Sequence, residues 1–325
     1  MLGILFSSIV AYPLATIILW RYLFAVVPLL CSIPLILEPW IVESPRWQLT
    51  HDVNSREARQ GIRRLSAYRN ESQIVEEIGS ILVAAEVHQA TVEAQDDPTS
   101  RQGGGGGSVR DLIAAREYRG LLVAAVGLQL AQQLCGINAV FYYSTSFLRG
   151  VVDDPQMGTC LVNLVNVLAT YFALTIMDRS RRKHLLLISS VGMAISCVLL
   201  VVASIGYTTK TIALISVMLI VTFFEIGLGP IPWLIVAESF DAKYVASAMS
   251  LTCIVNWSCN FIVGLSFPHM QLALGPYVFA PFAAVLLVVT LFCHFFVIES
   301  FGRTVEEVFR IANPTTAEDA DVSIN

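Results

Sequence analysis

Eight apolar runs, most of them about twenty residues long, set the limits on how this chain can fold. They fall at about 2–19, 22–42, 121–148, 157–177, 185–205, 211–237, 244–270 and 272–298. A helix needs roughly 20 apolar residues to cross a hydrocarbon core about 30 Å thick, so each run is read as a membrane span. Composition agrees: 14% of residues are charged and mean hydropathy is +0.68, against about 25% charged in soluble domains. The first run carries Pro13 and the second Pro28, Pro34 and Pro39, which membrane helices tolerate where neighbours bind the freed carbonyls. The expectation is an all-α membrane protein.

Charge sets the orientation. Of the 20 Lys and Arg, 17 lie in segments 43–119, 178–184, 238–243 and 299–325, and only Arg21, Arg149 and Lys210 lie in the alternate connections. The positive-inside rule puts the first set, and both termini, in the cytosol. Segment 43–119 separates two spans from six. Within it, 55–65 and 71–90 carry helical apolar spacing (Ile74, Ile78, Ile81, Leu82, Ala85), which predicts short amphipathic cytosolic helices. Residues 96–108, with five consecutive glycines at 103–107, read as a flexible linker. The tail beyond Arg310 reads as disordered. The glycosylation patterns at Asn70 and Asn256 fall in the cytosol and inside a span, so neither is expected to be modified. Seven scattered cysteines argue against a disulfide framework or a metal centre. No phosphate loop or nucleophile–base pair is present, so an enzyme, a cofactor and a nucleic-acid partner are not expected.

Candidate binding residues are the polar groups inside the spans. Residues 129–145, QLAQQLCGINAVFYYST, place Gln129, Gln132, Gln133, Asn138 and Ser144 in an apolar run. Amides and hydroxyls suit an uncharged, hydroxyl-rich ligand. Glu225 sits mid-span, where a carboxylate costs about 3 kcal/mol on insertion scales; it therefore faces a cavity or bonds a neighbouring helix. Gly227, Gly229, Pro230 and Pro232 follow directly and disrupt the helix, either as a packing kink or as the broken helix of a binding site. Trp233 offers an apolar ring face, although a lone membrane Trp also serves as packing or as an anchor. Asn166, and Asn256 with Asn260 one turn later, supply further amides that equally suit interhelical bonding.

Taken together, the motifs QQLCGINAVFYYST, GPIPWLIVAESF, NWSCNFIVG and GPYVF resemble the facilitative glucose (hexose) transporter family of the major facilitator superfamily. VESPRW, DRSRRK and ESFGRTVEEV are similar to that family's cytosolic motifs. The resemblance implies a major-facilitator bundle with the complete C-terminal six-helix half and about two helices of the N-terminal half. On it the domains are 1–42 (the last two N-terminal spans), 43–119 (cytosolic loop), 120–298 (six-span bundle) and 299–325 (tail). It implies sugar contacts from Gln132, Gln133, Asn138, Asn166, Phe224, Glu225, Trp233 and Asn256, with Trp257 and Asn260 nearby. Tyr142 and Tyr143 match an outer gate, joined by the helix breakers Gly229, Pro230 and Pro232. Glu43, Arg46, Asp178, Arg179, Arg182, Glu238, Glu299 and Arg303 match a cytosolic charge network. The expected partners are a hexose, D-glucose first, and the lipid bilayer, with the plasma membrane as location. The competing reading is a truncated chain that does not transport and instead associates with a full-length transporter. Departures from the family pattern are QLA for QLS at 129–131, Val42 and Ile298 for prolines, Ser300 and Phe301 for Thr-Lys, Arg181 for Gly, Val245 for Arg, and the glycine run.

Overall fold

The computed structural model describes residues 1–16, 18–45, 48–49, 55–65, 71–93, 107–148, 154–241 and 243–313, with backbone alone at 83–93, 144–148 and 210. Arg46, Asn70, the first four residues of the glycine run and the tail from 314 lie outside the described residues. The helices are α1 (Leu2–Leu14), α2 (Trp20–Leu37), α3 (Arg56–Leu65), α4 (Glu71–Glu93), α5 (Val109–Ala114), α6 (Arg119–Leu134), α7 (Ile137–Leu148), α8 (Pro155–Met177), α9 (Arg182–Ser204), α10 (Lys210–Ile226), α11 (Ile231–Ser239), α12 (Val245–Leu274), α13 (Ala280–Phe296) and α14 (Val305–Ala312). No strand occurs among the described residues.

Each of the eight apolar runs holds helix, but two expected spans are broken into pairs. Run 121–148 is α6 and α7, and run 211–237 is α10 and α11. The last run starts later than expected, because the Gly275–Tyr277 turn separates α12 from α13. Among the described residues, six stretches are long and apolar enough to cross a membrane: Trp20–Trp40, Arg116–Tyr143, Pro155–Met177, Arg182–Ser204, Thr211–Ser239 and Val245–Tyr277, with Leu2–Leu14 and Ala280–Phe296 shorter.

Two compact units result: Met1–Pro13 with Gly107–Asn325, and Leu14–Gly106. Polar side-chain bonds join α1 to α8 and its N-cap. Tyr12 donates to Asp154 Oδ2 at 2.7 Å, Asn163 Nδ2 donates to Ser8 Oγ at 2.6 Å, and Asn166 Nδ2 approaches Met1 Sδ at 3.5 Å. Asp154 is also the N-cap of α8, accepting from the N–H groups of Gln156 and Met157, with Pro155 at the first helical turn. The Tyr12 hydroxyl, and next the Met157 N–H, hold the exposed Asp154 carboxyl below its usual range.

In the larger unit α9 packs on α10 and α13, α8 on α10, and α6 on α12. Leu128, Met193, Val221, Phe267 and Leu286 are buried in the shared core. The outer surface stays apolar, with Phe172, Ile195, Phe261, Val288 and Phe295 exposed. An apolar exterior of this extent fits lipid, since water would drive those side chains together. A second core lies at the far end of the bundle. There Leu112, Tyr118, Phe240, Tyr244 and Val308 join α5, α11, α12 and α14. Capping boxes start both short helices of that cluster, Ser108 with Asp111 on α5 and Thr304 with Glu307 on α14. In the smaller unit, α3 and α4 close over Leu49, Ala58, Ile62, Ile74, Ile78 and Ile81.

Candidate functional site

The site is built where two spans break. Between α6 and α7, Gly136 adopts φ +88, a left-handed conformation that disfavours a Cβ. A Cβ there would also lie 2.7 Å from the Phe282 ring. Between α10 and α11, Gly227 approaches Leu185 so closely that a Cβ would lie 2.5 Å from its carbonyl oxygen. Pro230 and Pro232 then start α11, where a missing N–H is least costly.

Pro232 has a second consequence. The Leu228 carbonyl would ordinarily bond the N–H four residues on, and proline has none. Gln132 from α6 fills the gap: its Nε2 donates to Leu228 O at 2.9 Å and to Gly229 O at 2.6 Å. The Leu228 N–H donates to Ser189 Oγ on α9 at 3.1 Å. The break is therefore satisfied from two neighbouring helices, as a buried backbone requires.

An amide chain runs on from Gln132. Asn256 Nδ2 donates to Gln132 Oε1 at 2.6 Å and to Gln129 Oε1 at 2.7 Å. Gln133 Nε2 donates to Asn256 Oδ1 at 2.8 Å, and Gln133 Oε1 accepts from Asn138 Nδ2 and, at 3.3 Å, from Asn260 Nδ2. Tyr142 donates to Asn260 Oδ1 at 3.0 Å. Gln132 spends its amide hydrogens within the protein. Among the described residues, Asn138 and Gln133 each use one amide N–H, and an amide nitrogen carries two.

Beside this chain lies a cavity of about 410 Å³, within the usual range of about 300–1,000 Å³ for small-molecule sites. Its polar lining is Gln132, Gln133, Asn138, Thr170 and Glu225, and its aromatic lining is Phe141, Phe224 and Trp233. Gly229 and Pro230 border it, while Pro232 is buried behind. Glu225 is 3% exposed; its Oε2 accepts from Thr170 Oγ1 at 3.0 Å, and its Oε1 has no partner among the described residues. The sequence reading did not single out Thr170 or Phe141. Thr170 lies one turn beyond Asn166 on the same helical face, and that spacing was the available signal.

Four expected residues lie outside the cavity lining. Asn166 is buried but does not line the cavity, because its amide turns to α1 while Thr170, Ala173 and Met177 carry the cavity face of α8. Trp257 is 62% exposed: with Asn256 aimed inward, the next residue points about 100° around the helix. Asn256 and Asn260 meet the cavity's amides but are not themselves part of its lining. Of the two tyrosines, Tyr142 is exposed and Tyr143 donates to Gly264 O at 2.9 Å.

The charged residues divide similarly. Arg182 pairs with Glu238 at 3.2 Å, and its backbone N–H donates to Glu299 at 2.9 Å. Arg303 donates to the Glu299 carbonyl at 3.1 Å. Two of the departures from the family pattern join this cluster: Ser300 donates to Glu238 Oε2 at 2.6 Å, and the Phe301 ring sits 5.2 Å from the Arg182 guanidinium. Asp178 forms the C-cap of α8, and Arg179 follows it, its backbone N–H bonded to Ile176 O. Glu43 belongs to the smaller unit, where it accepts from the Ser44 N–H. Arg46 lies outside the described residues.

A helical bundle with two spans broken around a cavity with a polar wall defines a multi-pass membrane protein of major-facilitator type. Residues 1–312 match the family model "Sugar (and other) transporter", and the chain belongs to that family. It is 35% identical over 314 residues to mouse solute carrier family 2, facilitated glucose transporter member 4, covering 94% of this chain and 58% of that protein. It is 35% identical over 326 residues to rabbit member 3, covering 98% and 62%. The inward-open structure of the xylose transporter XylE from E. coli superposes with a TM-score of 0.74 at 24% identity, over 94% of this chain and 62% of that one. The chain thus spans about three fifths of the relatives it matches.

Proposed function

We propose that the chain binds a hexose, D-glucose in first place, in the cavity between α6–α7, α8 and α10–α11, and takes part in facilitative sugar transport by alternating access. The observation that carries this reading is the cavity's chemistry. It brings an amide wall (Gln133, Asn138), the Glu225 carboxyl and an indole (Trp233) to the lining of one cavity. Amides and a carboxylate together present donors and acceptors, which a sugar hydroxyl, being both, can meet. The indole covers the sugar's C–H face. The relatives' names support the same substrate class. Two broken spans meeting at this depth supply the hinge that alternating access requires.

We place Tyr142 and Tyr143 at an outer gate, with Gly229, Pro230 and Pro232 as its hinge. Arg182, Glu238, Glu299 and Arg303, with Asp178 and Arg179, form a cytosolic charge network. Both termini are cytosolic and the plasma membrane is the site of action. The test is uptake of D-glucose against L-glucose in cells lacking their own hexose carriers, with surface expression confirmed. Stereoselective, saturable uptake supports the reading. No uptake from a well-expressed chain overturns transport by this chain.

A further inference from the structure

We propose that α3 is an anionic-lipid site, at which Arg56, Arg59 and Arg64 hold the headgroups of acidic phospholipids at the cytosolic membrane surface. The inference is independent of the hexose reading. It starts from where α3 is packed. The apolar span Trp20–Trp40 ends with Trp40 and Ile41 both exposed, and Trp at the end of a span sits at headgroup level. α3 closes on the chain directly after that end. At Gly61 a Cβ would lie 3.1 Å from Val42 Cγ1 and 3.2 Å from Pro45 Cγ. One residue advances the chain by at most about 3.6 Å, so Val42 is within about 7 Å of Trp40. The headgroup layer is itself about 5–7 Å thick on each side. The helix is therefore held against the membrane surface.

Charge is sorted within this unit. α3 carries four Arg and one Glu, while α4 carries five Glu and no Lys or Arg. A face that needs only water intersperses the two signs; here the basic helix is fastened to the exit of the span. Glu57 does not neutralise the arginines from within α3, because none of them stands three or four residues from it. Arg63 pairs with Glu71 on α4. Arg56, Arg59 and Arg64 are exposed and make no ion pair with a described residue.

Helix rotation decides what these three can reach. Ala58, Gly61 and Ile62 form the packed stripe of α3. At about 100° per residue, Arg59 and Arg64 lie roughly 110° to either side of that stripe, with Arg56 on the face between them. Lying along the surface, the helix thus carries an arginine on each flank. The planar guanidinium matches phosphate oxygens two at a time, and its long stem lets the charge reach outward. Each basic residue near an acidic membrane surface strengthens binding about fivefold.

The test places the purified full chain in phosphatidylcholine nanodiscs containing a sub-saturating amount of photoreactive phosphatidylserine, with the diazirine in its headgroup region. Adducts are mapped by mass spectrometry. Labelling should fall on α3 and be competed by unlabelled phosphatidylserine or phosphatidylglycerol, but not by phosphatidylcholine. It should drop about tenfold or more in 1 M salt, where charge is screened beyond about 3 Å. Arg59→Gln with Arg64→Gln should lower the α3 adduct yield roughly 25-fold. Arg59→Lys with Arg64→Lys keeps the charge and should keep most of the yield. Labelling of α3 that a photoreactive phosphatidylcholine matches would show mere proximity to lipid and overturn the site. So would adducts that survive the glutamine pair, or that the lysine pair loses equally, because charge would then not be what is read. The salt series on wild type makes the same decision if the paired variants do not fold: labelling that 1 M salt leaves unchanged overturns the site.

Discussion

Replacing Gln132 by leucine tests the argument that one amide supports the break between α10 and α11. The substitution keeps the side chain's approximate size and removes three interhelical bonds: those to Leu228 O, Gly229 O and Asn256 Nδ2. Interhelical hydrogen bonds in membranes average about 0.6 kcal/mol, which sets a floor of roughly 2 kcal/mol. The Leu228 carbonyl is then left without the partner that Pro232 already denies it, and a buried orphan acceptor costs about 1–3 kcal/mol. Asn256 loses less, since Gln129 still accepts from it. The expected destabilisation is about 2–4 kcal/mol, read as thermal or denaturant unfolding of the purified chain followed by tryptophan fluorescence. The same reasoning gives a coupled effect. Pro232→Ala returns an N–H at the position that faces Leu228 O, so the double variant should recover about 1 kcal/mol relative to additivity. Unfolding of Gln132→Leu within about 0.5 kcal/mol of wild type, or strict additivity with Pro232→Ala, would refute the assignment.

Other consequences follow from single contacts. Gly227→Ala drives a Cβ against the Leu185 carbonyl, which backbone cannot easily yield, so folded protein recovered after solubilisation should fall sharply. Gly136→Ala adds a φ penalty of about 1 kcal/mol or more to its clash with Phe282 and should lower the unfolding midpoint. Arg182→Leu strips Glu238 of its guanidinium partner while leaving the backbone N–H that serves Glu299, and should cost about 1–3 kcal/mol, Glu238 being partly solvated. For Asp154 the sign runs through its depressed folded value. Its stabilisation is present above the unfolded carboxylate value of about 3.9 and is lost as pH falls through the lower folded one. Asp154→Asn, which keeps an N-cap acceptor, should therefore melt below wild type at pH 6 and converge with it as the pH falls below that folded value. Trp233→Leu should abolish hexose binding while Trp257→Leu leaves it intact, as measured by equilibrium dialysis.

Most of the architecture was legible in the chain because membrane spans are declared by length and hydropathy alone. The break after Ile226 was visible as Gly227, Gly229, Pro230 and Pro232, each of which removes a donor or a Cβ at a known place. The break at Gly136 carries one glycine and no proline, a weak signal that a helical pattern absorbs. Gln133, Asn138 and Glu225 were singled out because polar groups in a span need a stated partner, and they line the cavity with Trp233. Asn166 and Trp257 do not line the cavity, and span membership could not have told this, because it does not fix helix rotation and one residue turns a side chain through about 100°. The role of Gln132 as a support for Leu228 was hidden because it depends on two spans nearly a hundred residues apart. Ser300 and Phe301 looked like losses from a charge pattern. The structure shows them rebuilding it around Arg182 with a hydroxyl and a ring.

The central claim is that the cavity beside Gln133, Asn138, Glu225 and Trp233 is a hexose site. Its most direct test is equilibrium binding of radiolabelled D-glucose to the purified chain, with L-glucose as competitor and with Asn138→Ala and Glu225→Gln alongside. The account expects saturable binding that L-glucose does not displace and that each substitution weakens about tenfold or more. Absence of stereoselective binding to folded protein, or binding that survives both substitutions unchanged, would contradict it.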